Sequence, residues 1–242
     1  MSSIFDEDNY LIEKLGRAYI FPNPRYASDE GLLAYGGDLN PNRVLSAYKK
    51  GIFPWYSQND PILWWSPNPR LVIYPENFKM SKSFRRVLRN GNYSVRFDTK
   101  FDEVIDYCSK VKRPEQDGTW ITDEIIKAYR ELHNMGFAHS VEAYDGDELI
   151  GGLYGISMGK VFCGESMFSL KSNGSKIALK GLCDTLFKEA YNFIDCQMPT
   201  EHLISLGGEV LKRDIFLDEL EESLVGGIDI GSWSDYQWEY RE

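Results

Sequence analysis

The chain has 242 residues, 43% hydrophobic and 14% aromatic, with a formal net charge of −10. That length allows one large domain or a small domain joined to a medium one, and the composition excludes a disordered chain. No stretch approaches the roughly 18 consecutive apolar residues of a membrane span, and the N-terminus, MSSIFDEDNY, is acidic where a signal peptide is basic and then apolar, so a cytoplasmic location is expected.

The charge is unevenly placed. From Asp214 to Glu242 there are nine acidic residues and one basic one, whereas residues 79 to 113 hold ten Lys/Arg against four Asp/Glu. A phosphate backbone requires cations, so this local basic region keeps a nucleic-acid partner open despite the net charge. The four cysteines contain no CxxC pair and share no metal-ligand spacing with the three histidines, so no metal site is expected.

In chain order, LNPNRVLSAYKKG predicts a helix with Asn40 as N-cap, Pro41 at its first position and Gly51 as its stop. GIFPWYSQNDPILWWSPNPR, crowded with proline and tryptophan, reads as loop and short strand. SKSFRRVLRNG predicts a helix capped by Ser81, on which Lys82, Arg85, Arg86 and Arg89 share one face. TKFDEVIDYCSK and TDEIIKAYRELHNMG predict two amphipathic helices, the second capped by Thr122 and ended by Gly136. AHSVEAY, ELIGGLYGI and KVFCGESMF then predict an antiparallel meander, with turns at Asp145-Gly146 and at 157–159. IALKGLCDTLFKEAY is a helix, NFIDCQ a strand, EHLISLG a short helix capped by Thr200, and GEVLKRDIF a closing strand. The loop KSNGSK before the long helix reads equally as an anion-binding loop or an ordinary capped turn.

Alternation along the strand at 193–197 puts Asp195 and Gln197 on one face and Ile194 and Cys196 on the other. Cys196 therefore reads as a core thiol, and His202, with nothing pairing it, as a structural residue. Asp195 and Gln197 read either as a satisfied buried pair or as a base with an amide that orients it. In FCGESMFS, Glu165 and Met167 share a face with Cys163 unless a bulge at Gly164 resets the phase. A buried glutamate there needs an internal cation or a ligand ammonium. Trp55, Trp64, Trp65 and Trp120 lie on loops, as core filling or as platforms for a base.

The segments EGLLAYGGDLNPNRVLSAYKKGIFPWY, DPILWWSPNPR, GTWIT, AHSVE, LIGGLYG, FCGESMFS and IDCQ…HLISLGG, in this order from about Phe21 to Leu220, closely resemble the bacterial leucyl/phenylalanyl-tRNA–protein transferases. Departures are local: Lys79 stands where histidine is usual, Lys212 where proline is usual, and Thr200 at a position that can be Asn. The resemblance implies an α+β fold, with a small N-terminal domain (1–70), an N-acetyltransferase-like domain with a mixed, mostly antiparallel sheet (71–234) and a tail (235–242).

It further implies transfer of Leu or Phe, and weakly Met, from aminoacyl-tRNA to proteins beginning with Arg or Lys, marking them for degradation. An aminoacyl ester is already activated, so neither cofactor nor covalent intermediate is expected. Asp195 would receive the amine's proton through or beside Gln197, and Glu165 would hold an ammonium. Leu153, Met167, Leu179, Leu182, Leu186 and Ile194 would form the side-chain pocket. Trp55 and Trp120 would flank the terminal adenosine, and Lys82, Arg85, Arg86 and Arg89 would meet the RNA. A monomer is expected. The competing classes are a plain N-acetyltransferase using acetyl-CoA and a non-catalytic RNA-binding module.

Overall fold

A computed structural model describes residues 3–5, 11–111, 119–227 and 230–240. Lys112 and Arg113, at the end of the basic region, lie outside the described residues. The first part of the chain holds β1 (Ser3–Phe5), β2 (Leu11–Leu15), β3 (Leu32–Gly36), α1 (Pro41–Tyr48), β4 (Phe53–Pro54) and β5 (Leu63–Trp65). Next come β6 (Arg70–Ile73), α2 (Lys82–Asn90), β7 (Tyr93–Phe97), α3 (Phe101–Lys110), α4 (Asp123–Asn134), β8 (Ala138–Asp145), β9 (Glu148–Met158) and β10 (Val161–Ser169). The chain ends with α5 (Gly174–Lys188), β11 (Phe193–Gln197), α6 (Glu201–Ser205), β12 (Glu209–Leu211), α7 (Arg213–Ser223) and β13 (Gln237–Glu239).

The helices begin where side chains satisfy their first free N–H groups. Asn40 accepts from the Asn42 N–H, Ser81 from Phe84, Thr122 from Ile125 and Thr200 from Leu203, so the four caps expected from sequence form. The meander also forms, although β9 extends to Met158 and its tight turn lies at Gly159, whose φ of 58° suits glycine.

Among the described residues the strands make a five-stranded sheet, β1-β2-β3-β5-β4, and an eight-stranded sheet, β12-β6-β11-β10-β9-β8-β7-β13. The fold is thus α+β with mixed sheets, since β10 and β11 pair in parallel and their other neighbours are antiparallel. Helices α3, α4 and α7 share one apolar cluster with the first part of the chain, through Val104, Tyr129, Phe216 and Leu220. Helices α2 and α5 pack into a second cluster with Phe84, Leu88, Leu182 and Trp233. Side chains alternating along β9 enter the two clusters in turn, Leu153 one and Tyr154 the other.

Two irregularities shape the region between β10 and β11. The register between β10 and β9 shifts between Gly164 and Ser166, leaving Glu165 as the extra residue of a bulge. Phe162 and Phe168, six residues apart, consequently enter different clusters. Met167 joins the side of Phe162, which corrects the grouping of Met167 with Cys163 on one face. The second shift lies between Asp195 and Gln197, where Gln197 takes a φ of 63°. The paired registers of β10 and β11 end at Cys163 and Asp195, and the strands part beyond them.

The closing strand is shorter than expected, because only Glu209–Leu211 pairs with β6. From Arg213 the chain is helical, and Phe216, Leu217 and Leu220 bury at helical spacing. Lys212 is thus the residue before a helix rather than part of a strand. The Arg213 guanidinium donates to the carbonyls of Ala27 at 2.9 Å and Ser28 at 2.6 Å. Nearby, Arg25 pairs with Asp214 and Asp218. Part of the acidic C-terminal segment therefore docks the N-terminal part of the chain. No helix among the described residues is long and apolar enough to cross a membrane.

Candidate active site

Where β10 and β11 part, a cavity of about 780 Å³ opens between the first part of the chain and the larger sheet. Its apolar wall is Leu153 of β9, Phe162 and Met167 of β10, Leu179 and Leu182 of α5, and Ile194 and Cys196 of β11. Phe53, Pro54 and Trp55 enter it from the N-terminal part, and Trp120 from the loop before α4. Glu165 and Gln197 supply its polar end, while Met198, Thr200, His202 and Leu203 border it after β11.

Nine residues predicted for the site thus line one cavity: Trp55, Trp120, Leu153, Glu165, Met167, Leu179, Leu182, Ile194 and Gln197. Two others do not. Leu186 is buried in the core beneath α5, about a turn beyond Leu182. Asp195 is also buried and is absent from the lining. Its Oδ1 accepts from Arg70 Nε at 2.8 Å and its Oδ2 from Arg70 Nη2 at 2.6 Å. The Gln197 backbone N–H adds a bond of 2.9 Å to Oδ1. Both carboxylate oxygens are therefore engaged in a bidentate, charge-assisted pair turned away from the cavity.

That pair fixes the unusual turn at Gln197. Its left-handed backbone brings the side chain to the cavity, and its Nε2 donates to Glu165 Oε1 at 3.0 Å. An amide that donates inward retains its carbonyl oxygen as an acceptor for a ligand. The expectation that Asp195 and Gln197 act from the same face is corrected accordingly, because the bulge separates them and leaves Asp195 behind Gln197.

Glu165 is nearly enclosed, at 8% exposure. Tyr48 of α1 lies with its hydroxyl 2.6 Å from Oε1, Tyr129 of α4 with its hydroxyl 2.9 Å from Oε2, and the two hydroxyls are 2.6 Å apart. Burial raises the Glu165 pKa to about 7, and the Asp195 charge adds to the rise. The tyrosine hydroxyls and Arg70 pull the other way without cancelling it.

Cys196 is half-buried in the cavity wall rather than the closed core, and burial followed by the Asp195 charge raises its pKa, keeping it a thiol. His202 borders the mouth, where burial and then Lys176 lower its pKa. Trp64 is wholly buried against Phe21, and Trp65 donates from Nε1 to the Trp55 carbonyl at 2.7 Å, so only Trp55 and Trp120 of the four line the cavity. In the KSNGSK loop the Ser175 N–H donates to Ser169 Oγ and the Gly174 N–H to the Lys171 carbonyl, so two N–H groups at the start of α5 are satisfied within the chain. A side chain at Gly174 would meet the Ile150 carbonyl at 2.1 Å, so glycine there allows α5 to seat on β9. Lys82, Arg85, Arg86 and Arg89 remain exposed on α2, with Lys82 and Arg86 bordering a groove that also includes Asn90 and Tyr93.

Sequence reasoning leaves Arg70, Tyr48 and Tyr129 out of the site. Arg70 closes WWSPNPR and Tyr48 lies in LSAYKKG, both within segments that carry the resemblance, but neither residue has a local spacing that reveals its distant partner.

The family model described as leucyl/phenylalanyl-tRNA protein transferase matches residues 72–221, and that of its N-terminal domain matches residues 37–68. Three similar relatives are each named leucyl/phenylalanyl-tRNA–protein transferase. The one from Sulfurimonas denitrificans is 54% identical over 202 residues, covering 84% of this chain and 88% of the relative. The one from Desulfatibacillum aliphaticivorans is 52% identical, covering 91% and 94%, and that of Legionella pneumophila strain Corby is 49% identical, covering 89% and 96%. Similarity to solved structures is remote: a functionally unknown conserved protein from Staphylococcus epidermidis has a TM-score of 0.43 and 9% identity, covering 75% of this chain and 68% of that one. The family match across both parts of the chain and the close relatives agree, and the chain belongs to the leucyl/phenylalanyl-tRNA–protein transferase family, an aminoacyl-tRNA–protein transferase.

Proposed function

We propose that this enzyme moves leucyl or phenylalanyl, and weakly methionyl, from aminoacyl-tRNA to the α-amino group of proteins beginning with Arg or Lys, marking them for degradation. It acts as a cytoplasmic monomer. The observation that carries this reading is the cavity with apolar walls at one end and the Glu165–Gln197 pair at the other. The leucyl or phenylalanyl side chain lies against Leu153, Met167, Leu179, Leu182 and Ile194, and the terminal adenosine lies beside Trp55 and Trp120. An unbranched methionyl side chain fits the same apolar walls less well, since pockets of this kind discriminate by only about 1–3 kcal/mol per methylene.

At the polar end the Gln197 carbonyl accepts an N–H of the incoming amine and Glu165 draws its positive charge. Asp195 holds Gln197 in place instead of touching the substrate, a positioning role consistent with its pairing to Arg70. The separation of β10 from β11 supports an N-acetyltransferase-like arrangement of the larger sheet, in which an acyl donor sits between parting strands. Residues 1–70 then serve as a docking module that supplies the aromatic side of the cavity, and residues 71–234 carry the transfer chemistry; the expected boundary of a tail at 235 is corrected, because β13 pairs with β7 and Trp238 is buried with that domain.

Leucyl-tRNA or acetyl-CoA, supplied with an Arg-starting peptide, tests the reading by mass spectrometry. Leucylation that ribonuclease pretreatment removes is expected. Acetylation would instead indicate a plain N-acetyltransferase, and RNA binding without any acyl transfer a binding module.

The exposed cations of α2 are assigned to the phosphates of the RNA body. Replacing Lys82 and Arg86 by alanine is expected to weaken aminoacyl-tRNA binding and to flatten the dependence of log K on log salt by about one unit for each phosphate no longer neutralised. Filter binding across a salt series measures this. An unchanged slope would move the RNA elsewhere.

A further inference from the structure

The hydrogen bonds around Glu165 contain a proton-counting problem. Three oxygen–oxygen distances of 2.6, 2.6 and 2.9 Å join Tyr48, Tyr129 and Glu165 in a closed triangle. Separations this short each require a hydrogen between the oxygens. Each tyrosine hydroxyl contributes one hydrogen and an ionised carboxylate contributes none. When Glu165 is ionised, one side of the triangle is left with lone pair facing lone pair.

A proton on Glu165 completes the set. Glu165 Oε2–H then donates to the Tyr129 oxygen, Tyr129 O–H to Tyr48, and Tyr48 O–H to Glu165 Oε1, which also accepts from Gln197 Nε2. Every group is satisfied, with donation running one way around the ring. Burial sets the raised pKa of Glu165, and the two tyrosine hydroxyls pull against it by donating to the carboxylate. The other charged or titratable groups acting on the carboxyl are Asp195 of β11, Arg70 of β6 and Cys163 of its own strand, besides the two tyrosines from α1 and α4.

We propose that Glu165 is the proton acceptor of acyl transfer and that Tyr48 and Tyr129 are positioning residues, whose hydroxyls donate to its ionised carboxylate and close this ring once the proton arrives. The inference rests on the acyl-transfer reading above. The free-base amine attacks the ester carbonyl, forming the N–C bond as the C–O bond to the ribose breaks. The amine gives up one proton to Glu165 and the ring closes. The departing ribose oxygen takes that proton, restoring the carboxylate. Because Tyr48 comes from α1, the larger sheet cannot complete this proton site without the N-terminal part of the chain.

Single-turnover leucyl transfer, measured from pH 5.5 to 8.5 for the unaltered enzyme and its variants, tests the proposal. Dividing rates at each pH cancels the ionisation of the acceptor amine. Removing the Tyr48 hydroxyl deletes a donor to the ionised form, so Tyr48→Phe should move the Glu165 midpoint upward. The ratio of unaltered to Tyr48→Phe rates should then rise from a plateau above pH 8 by about tenfold per unit of displacement as pH falls below 6. Tyr129→Phe opens the ring from α4 and should tilt the ratio in the same direction. For Glu165→Gln the ratio should tilt oppositely, growing with pH and levelling above about 7. Ratios that stay flat with pH for the two tyrosine variants overturn the proposal, since a merely structural loss slows transfer equally at every pH. Absence of leucyl transfer by the unaltered enzyme would instead remove the acyl-transfer reading.

Discussion

Replacing Glu165 with glutamine is expected to slow transfer by roughly 10²–10⁴-fold while making the protein more stable at pH 8. The folded-state pKa of Glu165 is raised from 4.5 to about 7, chiefly by burial. A raised pKa means that the folded state binds the proton more tightly than the unfolded chain does. Its stabilising contribution is fully present below about 4.5 and is lost as pH rises through about 7. Above that window the unaltered protein has lost on the order of 3 kcal/mol that a non-titrating glutamine retains. Urea denaturation of both proteins at pH 5 and pH 8 measures the difference. The variant should gain on the unaltered protein between the two pH values, whereas an identical pH dependence would show that Glu165 does not titrate there. A residue that destabilises its own fold at working pH is accounted for by its chemistry in the cavity.

The second large effect is expected at Arg70. Arg70 and Asp195 are each about 1% exposed, and the guanidinium lies against the rings of Phe53 and Phe216. Arg70→Met leaves a buried carboxylate without its partner, which costs about 3–5 kcal/mol. Combining it with Asp195→Leu removes the orphaned charge, and most of that stability should return, as urea midpoints would show. Transfer should not return with it, because the Gln197 N–H has lost its acceptor and the left-handed turn its support. If the double variant regained both, Asp195 would have no positioning role. If the single variant lost neither, the pair would contribute nothing.

Local chemistry makes much of the fold legible. Asn40, Ser81, Thr122 and Thr200 are caps because their short polar side chains reach the next N–H groups, which needs no information from elsewhere in the chain. Strand alternation likewise puts Ile194 with Cys196 and apart from Asp195. It fails at Gln197, where one bulge residue changes the side chain's direction, and at Met167 for the same reason. Arg70 and Asp195 are 125 positions apart, and Tyr48 and Glu165 are 117 apart, so no spacing rule connects them. Helix α7 is hidden from a strand reading that starts at Gly208 and runs on into DIF, although Phe216, Leu217 and Leu220 continue at helical spacing. Nine of the residues that line the cavity are thus legible in the sequence, whereas the pairings that orient them come from the tertiary fold.

The clamp formed by α7 also sets an order of assembly. Arg213 holds the carbonyls of residues 24, 27 and 28, and Phe216 and Leu217 pack so closely on Gly51 that a side chain there would meet them at 2.8 and 2.7 Å. The segment carrying Tyr48 leaves the ribosome early, but the helix that fastens it down is made after every element that lines the cavity. A growing chain therefore acquires its side-chain pocket before its proton site is fastened in place, and α7 must be made before the enzyme can act on any amine, including those of other nascent proteins.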